Sequence, residues 1–149
     1  LFRSEARPYA IRIASVAEVV RVERLVRLPL APPRLVGLRI LRRDVIPVFR
    51  PREAELKNAV ATDGVSLVLL IRAAQGIWGL LIDREGLQVR EEIPTNHERS
   101  SPDPAPDRVL IDEVTYQRID PEIAWEELQM SMNSWYSFHS PSQLVPIPR

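Results

Sequence analysis

The sequence contains no cysteine. That removes disulfide staples, thiol nucleophiles and thiolate metal sites together. It contains a single lysine, Lys57, so nearly all its positive charge is arginine. Neither sign is in excess: 20 Lys and Arg oppose 20 Asp and Glu, for a net charge of zero. A general nucleic-acid binder needs a net basic face, so the balance argues against that class while leaving room for local patches. Glycine is scarce at five residues, and no Gly-rich phosphate loop is present. No apolar run approaches the roughly 20 residues needed to cross a bilayer. The longest, Val65 to Ile71, already carries Ser66. No signal peptide is visible. These features predict a cytoplasmic protein with no direct membrane insertion. The two histidines, His97 and His139, lie far apart and in no metal-ligand spacing. Neither is held against Ser100 or Ser140 as a base against a nucleophile. The expectation is therefore no catalytic residue, no metal and no cofactor.

What the chain does have is proline, 14 in 149 residues. Proline locks its own φ and restricts the residue before it, so long helices are disfavoured and short strands with many corners are favoured. The prolines concentrate at 29–33, 94–106 and 141–148. Between them, short apolar runs recur with turns roughly every 8–12 residues, the spacing of an all-β barrel or sandwich. Leu1 to Arg3 and Tyr9 to Ile13 read as strands, the second with Tyr9, Ile11 and Ile13 on one face. Ser15 is placed to cap a helical turn, with Glu18 three residues on. Val65 to Arg72 is almost continuously apolar, as a strand buried on both faces would be, and returns through Ala74-Gln75-Gly76 as Ile77 to Asp83. Trp78 there fits an outward anchor or the core. Leu87 to Ile93, Arg108 to Asp112 and Thr115 to Asp120 read as further strands. Helical turns are expected at 52–58 and, behind an Asp120 cap with Pro121 first, over 121–130. Residues 94–107 read as a mobile loop and 129–149 as a tail, whose Trp135, Tyr136 and Phe138 are expected to dock on the chain's own body.

One stretch organises the rest. Leu35 to Leu41 and Val45 to Phe49 are two apolar runs joined by Arg42, Arg43 and Asp44. Such runs about a short polar connection predict a hairpin that displays its arginines to solvent.

The order and spacing of these pieces resemble a CheW-type coupling domain, the adaptor of bacterial chemosensory arrays. The residues that carry the resemblance are Tyr9-Ala10-Ile11 with Ile13, Val16, Glu18 and Val19. The Pro32-Pro33 corner follows, then Val36-Gly37-Leu38, Leu41-Arg42 and Val45-Ile46-Pro47-Val48. Gly79-Leu80-Leu81-Ile82-Asp83 and the closing strand and helix from Thr115 to Leu128 complete it. It spans residues 1–128. It implies an all-β fold of two SH3-like five-stranded β-barrel subdomains packed together, with short helices. It also implies a non-enzymatic adaptor that couples the cytoplasmic tip of chemoreceptors to the regulatory domain of a CheA-type histidine kinase. Carried over by position, the expected partner-binding residues are Arg42, Val16, Glu18, Val36, Gly37, Arg43 and Gly79. For the two glycines, the readings are close approach by a partner backbone or relief of a barrel bend.

Where the family usually has Asn-Leu-Arg-Gly at the hairpin, this sequence has Ile40-Leu41-Arg42-Arg43, and Arg50 stands near a family Asp. These changes predict a different turn and a more basic face. They also keep open a second reading, a divergent interaction or self-associating module outside chemotaxis.

Overall fold

The computed structural model describes residues 1–52, 66–91 and 107–139, the side chains of Ser66, Phe138 and His139 excepted. Two strands open the chain, β1 (Phe2–Ser4) and β2 (Arg7–Ala10), joined by Glu5 and Ala6. Both joining residues have positive φ, 51° and 63°. That is the sign pattern of a type I′ turn, whose twist matches that of the strands it links. The same device joins β8 (Arg108–Ile111) to β9 (Val114–Arg118), through Asp112 and Glu113 at 48° and 66°. β9 runs parallel beside β2, with Tyr9 opposite Gln117, so the four strands form one sheet in the order β1-β2-β9-β8.

The second sheet has five strands: β3 (Val16–Val22), β4 (Leu35–Leu41), β5 (Asp44–Phe49), β6 (Ser66–Ala73) and β7 (Gly76–Ile82), in the order β3-β6-β7-β5-β4. The period-2 alternation of its strands sorts side chains into two cores. Val68 and Leu70 of β6 join Val20, Val22, Ile46 and Val48 on one face. Leu69 and Ile71 join Trp78, Leu80, Ile82 and Phe49 on the other, where Phe2 and Tyr9 of the first sheet meet them. The continuous apolar run of β6 is thus explained, because it feeds a core on each side. Each fully buried aliphatic or Phe side chain is worth about 1.5–3 kcal/mol, so these cores carry the fold.

A polar seam fixes the two sheets together. Ser4 Oγ donates to the Leu81 carbonyl at 2.6 Å, and the Asp83 carboxylate accepts from the Glu5 and Ala6 amides at 2.9 and 2.8 Å. Arg50 donates to Glu5 at 3.1 Å. Helix α1 (Pro121–His139) packs against β6. Leu128 is buried in the shared core, with Ala124, Trp125 and Met132 beside it. Asp120 Oδ1 caps the helix, accepting from the Glu122 and Ile123 amides at 3.0 and 3.1 Å. Among the described residues no helix is long and apolar enough to cross a membrane.

Several expectations need correction. Among the described residues no strand pair closes either sheet, so the architecture is two packed sheets with one helix rather than two closed barrels. β4 does meet the chain beyond β3, but only through the single Val26–Leu38 bridge, because the proline-rich segment that follows cannot extend a ladder. Tyr9 to Ile13 is not one strand. β2 stops at Ala10, and Ile13 starts a short 3-10 turn, Ile13–Ser15, where it is 67% exposed. Ser15 ends that turn and caps nothing. Residues 87–91 form no strand, although Leu1 and Gln88 exchange two backbone hydrogen bonds of 2.8 Å. The helix does not stop near Met130 but continues to His139. Trp135 holds it, donating from Nε1 to the Leu30 carbonyl at 2.8 Å. Of the helical turns expected at 52–58 and the loop expected at 94–107, residues 53–58 and 94–106 lie outside the described residues.

Candidate interaction surface

The β4–β5 hairpin pairs from Leu41–Asp44 down to Leu35–Phe49, with Arg42 and Arg43 as the two-residue turn. Arg42 takes a φ of 57°, a conformation that usually selects glycine. Positive φ at the first central position alone is the sign pattern of a type II′ turn, in which an arginine at the second position meets no such restriction. Directly opposite residues of an antiparallel pair share a face. Ile46 and Val48 point into the core, so Ile40 and Val45, paired with each other, point outward. They are 64% and 58% exposed. Two β-branched side chains therefore stand in solvent directly behind two exposed arginines.

Val16 and Glu18 begin the opposite edge strand. A bulge at Ala17 separates them, leaving Val16 half-buried against the shared core and Glu18 exposed. The parallel register of β5 and β7, Val48 beside Gly79, directs the start of β5 toward the β6–β7 turn. Ile71, opposite Val16, lies at that same end. The hairpin tip and the Val16–Glu18 edge thus share one end of the five-stranded sheet, on its two lateral edges. Arg39 Nη1 donates to the Arg21 carbonyl at 3.3 Å, tying the hairpin back toward β3.

The remaining residues named from sequence fall elsewhere. Val36 is the extra residue of a bulge between Leu35 and Gly37, at the far end of β4. Gly37 is buried against its own chain, and a Cβ there would meet the Val26 carbonyl oxygen and Leu25 Cβ at 2.9 Å. Gly79 is central and buried, with Val68 Cγ1 2.7 Å and Val48 Cγ2 3.0 Å from where a Cβ would lie. In both places the approach is made by this chain's own residues. Trp78 is 1% exposed and belongs to the core, edge-on to Phe49. Arg50 is not part of a basic face, because it is buried and paired to Glu5. Sequence reasoning missed the outward pair Ile40 and Val45, although the alternation with Ile46 and Val48 could have found it.

Among the described residues no group of three or more Asp, Glu or His is placed to hold a metal. Three exposed or partly exposed carboxylates have structural partners. Asp83 holds the first turn, Asp120 caps α1, and Asp112 pairs with Arg90. His97, Ser100 and Ser140 lie outside the described residues.

A family model for the CheW-like domain matches residues 1–103. The chain belongs to the CheW-like domain family. The solved scaffolding protein TtCheW from Thermoanaerobacter tengcongensis is similar in fold, with a TM-score of 0.58 at 20% identity, and 83% of each chain is covered. No curated protein matches the chain. Family membership supports a scaffold or adaptor role in chemotaxis. β8, β9 and α1 lie beyond the family match, yet they complete the first sheet and cover the shared core.

Proposed function

We propose that this chain is a non-enzymatic adaptor that couples the cytoplasmic tip of chemoreceptors to the regulatory domain of a CheA-type histidine kinase. The observation that carries this reading is the outward Ile40–Val45 pair behind the Arg42–Arg43 turn. Exposed β-branched side chains on an edge hairpin give up solvent readily to a partner sheet. The adjacent arginines set orientation and partner choice more than raw affinity. The second surface is the Val16–Glu18 edge, where a half-buried valine beside an exposed carboxylate supplies the apolar floor and polar rim that a helical partner needs. The two sheets are the counterparts of the family's two SH3-like barrels, and the Val26–Leu38 bridge supports this for the five-stranded one. The mechanism is geometric: receptor and kinase are held on separate surfaces of one body, so that a change in the receptor biases the kinase.

Ile40 and Arg43, at positions where the family usually has Asn and Gly, favour a second reading, a self-associating or scaffold module outside chemotaxis. Ile40→Glu and Arg42→Glu separate the two. Under the coupling reading each weakens binding of the kinase regulatory domain by about tenfold or more, with the unfolding temperature nearly unchanged. Kinase-domain binding that neither change affects, with a loss of self-association instead, would favour the second reading.

A further inference from the structure

β8 (Arg108–Ile111) is one margin of the four-stranded sheet, and its outer edge is open. The other margins are engaged by this chain itself. The Arg3 carbonyl of β1 accepts from the Asp83 amide at 2.8 Å, β4 carries the Val26–Leu38 bridge, and the Arg21 carbonyl of β3 accepts from Arg39. Among the described residues no backbone bond or bridge reaches the outer edge of β8. An edge of this kind is a template for a further strand. Antiparallel partners alternate between hydrogen-bonded and non-bonded pairs. The Arg118 amide donates to the Asp107 carbonyl at 2.6 Å, so those two residues are a bonded pair. Val109–Tyr116 and Ile111–Val114 follow in the same phase. The N–H and C=O groups of Arg108 and Leu110 therefore point away from β9, into the open edge. The side chains of these two residues are exposed, Leu110 at 56%, while Val109 is half-buried and Ile111 buried.

We infer that two copies of this chain pair through their β8 edges, antiparallel, about a two-fold axis at Leu110. The stretch Arg108-Val109-Leu110-Ile111-Asp112 carries opposite charges at equal distances from its centre. Centred there, the two Leu110 residues exchange N–H···O=C bonds, and each Arg108 lies level with Asp112 of the other copy. Among the described residues Arg108 makes no ion pair within its own chain. Asp112 is 68% exposed in its side chain and gives only Oδ2 to Arg90, which leaves Oδ1 for a second guanidinium. Opposite charges directly across an antiparallel pair stabilise it. A register centred on Val109 would use the same edge groups but set Arg108 against Leu110 and leave both charges unmatched. Charge thus selects the Leu110 centre. The two-fold axis closes the contact, so assembly stops at a dimer. β8 has four residues, which makes the interface small and the Kd on the order of 0.1–1 mM. The pairing uses no residue of the β4–β5 hairpin and is independent of both readings of that surface.

The test uses the whole chain. Sedimentation equilibrium up to about 2 mM should show the mass rising toward that of a dimer. Leu110→Lys and Leu110→Glu each set like charges across the axis and should weaken the dimer at least about tenfold. An equimolar mixture of the two variants opposes Lys to Glu and should restore it. Leu110 is exposed, and the backbone NMR spectrum of each variant checks the fold. Because the chain has no cysteine, Leu110→Cys gives a single reporter. Bonded antiparallel partners stand about 5.5 Å apart at Cα, within reach of a disulfide. With diamide as oxidant, Leu110→Cys should cross-link at least about fivefold faster than Met130→Cys, which is 71% exposed on α1. A mass that does not rise, a mixture that does not restore the dimer, or equal cross-linking rates would overturn the inference. So would a dimer that Ile40→Glu abolishes and Leu110→Lys leaves intact. Neither kinase nor receptor is present, so the outcome is separate from that of the coupling reading.

Discussion

Arg50 Nη1 reaches Glu5 Oε1 at 3.1 Å across the seam between the two sheets, from a side chain only 9% exposed. The contact joins the end of β5 to the turn of the β1–β2 hairpin, 45 positions earlier in the chain. A buried guanidinium that loses its partner keeps its desolvation penalty. Glu5→Gln is therefore expected to lower the unfolding free energy by about 1–2 kcal/mol, the partial exposure of Glu5 keeping the loss below that of a fully buried pair. Replacing both residues, as Glu5→Gln with Arg50→Met, should recover part of it. Urea denaturation of the two single variants and the double variant measures the coupling. Strict additivity would show that the pair contributes nothing of its own.

Gly79 is a packing residue. A methyl group there would stand 2.7 Å from Val68 Cγ1 and 3.0 Å from Val48 Cγ2. Gly79→Ala is expected to destabilise by about 1–3 kcal/mol through overpacking. Any loss of partner binding should follow the loss of folded protein and vanish at a temperature where the variant is fully folded. A thermal melt run beside a binding titration checks this. Lost binding with an unchanged melt would return Gly79 to the interface.

Glu113 sits at a φ of 66° in the β8–β9 turn, with its side chain exposed. A non-glycine residue there costs roughly 1–2 kcal/mol relative to one free to adopt the left-handed region, offset in part by the extra freedom glycine has when unfolded. Glu113→Gly is expected to raise stability by about 0.5–1 kcal/mol, read as a higher denaturation midpoint. A lower midpoint would mean that the Glu113 side chain makes a compensating contact.

Tyr9 is buried between the sheets, stacked on Phe2 with ring centroids 5.6 Å apart. Burial pushes its hydroxyl above the ordinary tyrosine range; Arg7 and Arg34 act against this and Glu5 acts with it. The neutral form is favoured by folding. Its contribution is fully present below the unfolded tyrosine value near pH 10 and is lost as pH rises through the higher folded value. Above about pH 10 the wild-type unfolding free energy should therefore fall more steeply than that of Tyr9→Phe. Denaturant titrations on either side of that pH give the comparison. Parallel profiles would contradict it.

How much of this was legible in the sequence depended on the range of the signal. The β4–β5 hairpin could be read because Leu35 to Leu41 and Val45 to Phe49 are apolar runs on either side of a charged turn, and β6 because its run is almost continuously apolar. The full length of α1 was also present, in Trp125, Leu128, Met132 and Trp135 at intervals of three and four. Ser131, Asn133, Ser134 and Ser137 obscured it, all being weaker helix formers, the last three of them exposed. The burial of Arg50 could not be read, because its partner lies in a distant turn and nothing local distinguishes it from the exposed Arg43. The outward pair Ile40–Val45 follows from strand alternation once Ile46 and Val48 are set facing the core.

The central claim is that one body holds two partners at once. It is tested most directly by mixing the purified chain with the CheA-type kinase regulatory domain and the receptor-tip fragment from the same organism, then resolving the mixture by size-exclusion chromatography with light scattering. The account predicts a ternary complex that needs this chain as its bridge and that Arg42→Glu reduces, while the unfolding temperature of the variant stays close to wild type. Recovery of the chain bound to neither partner would contradict it.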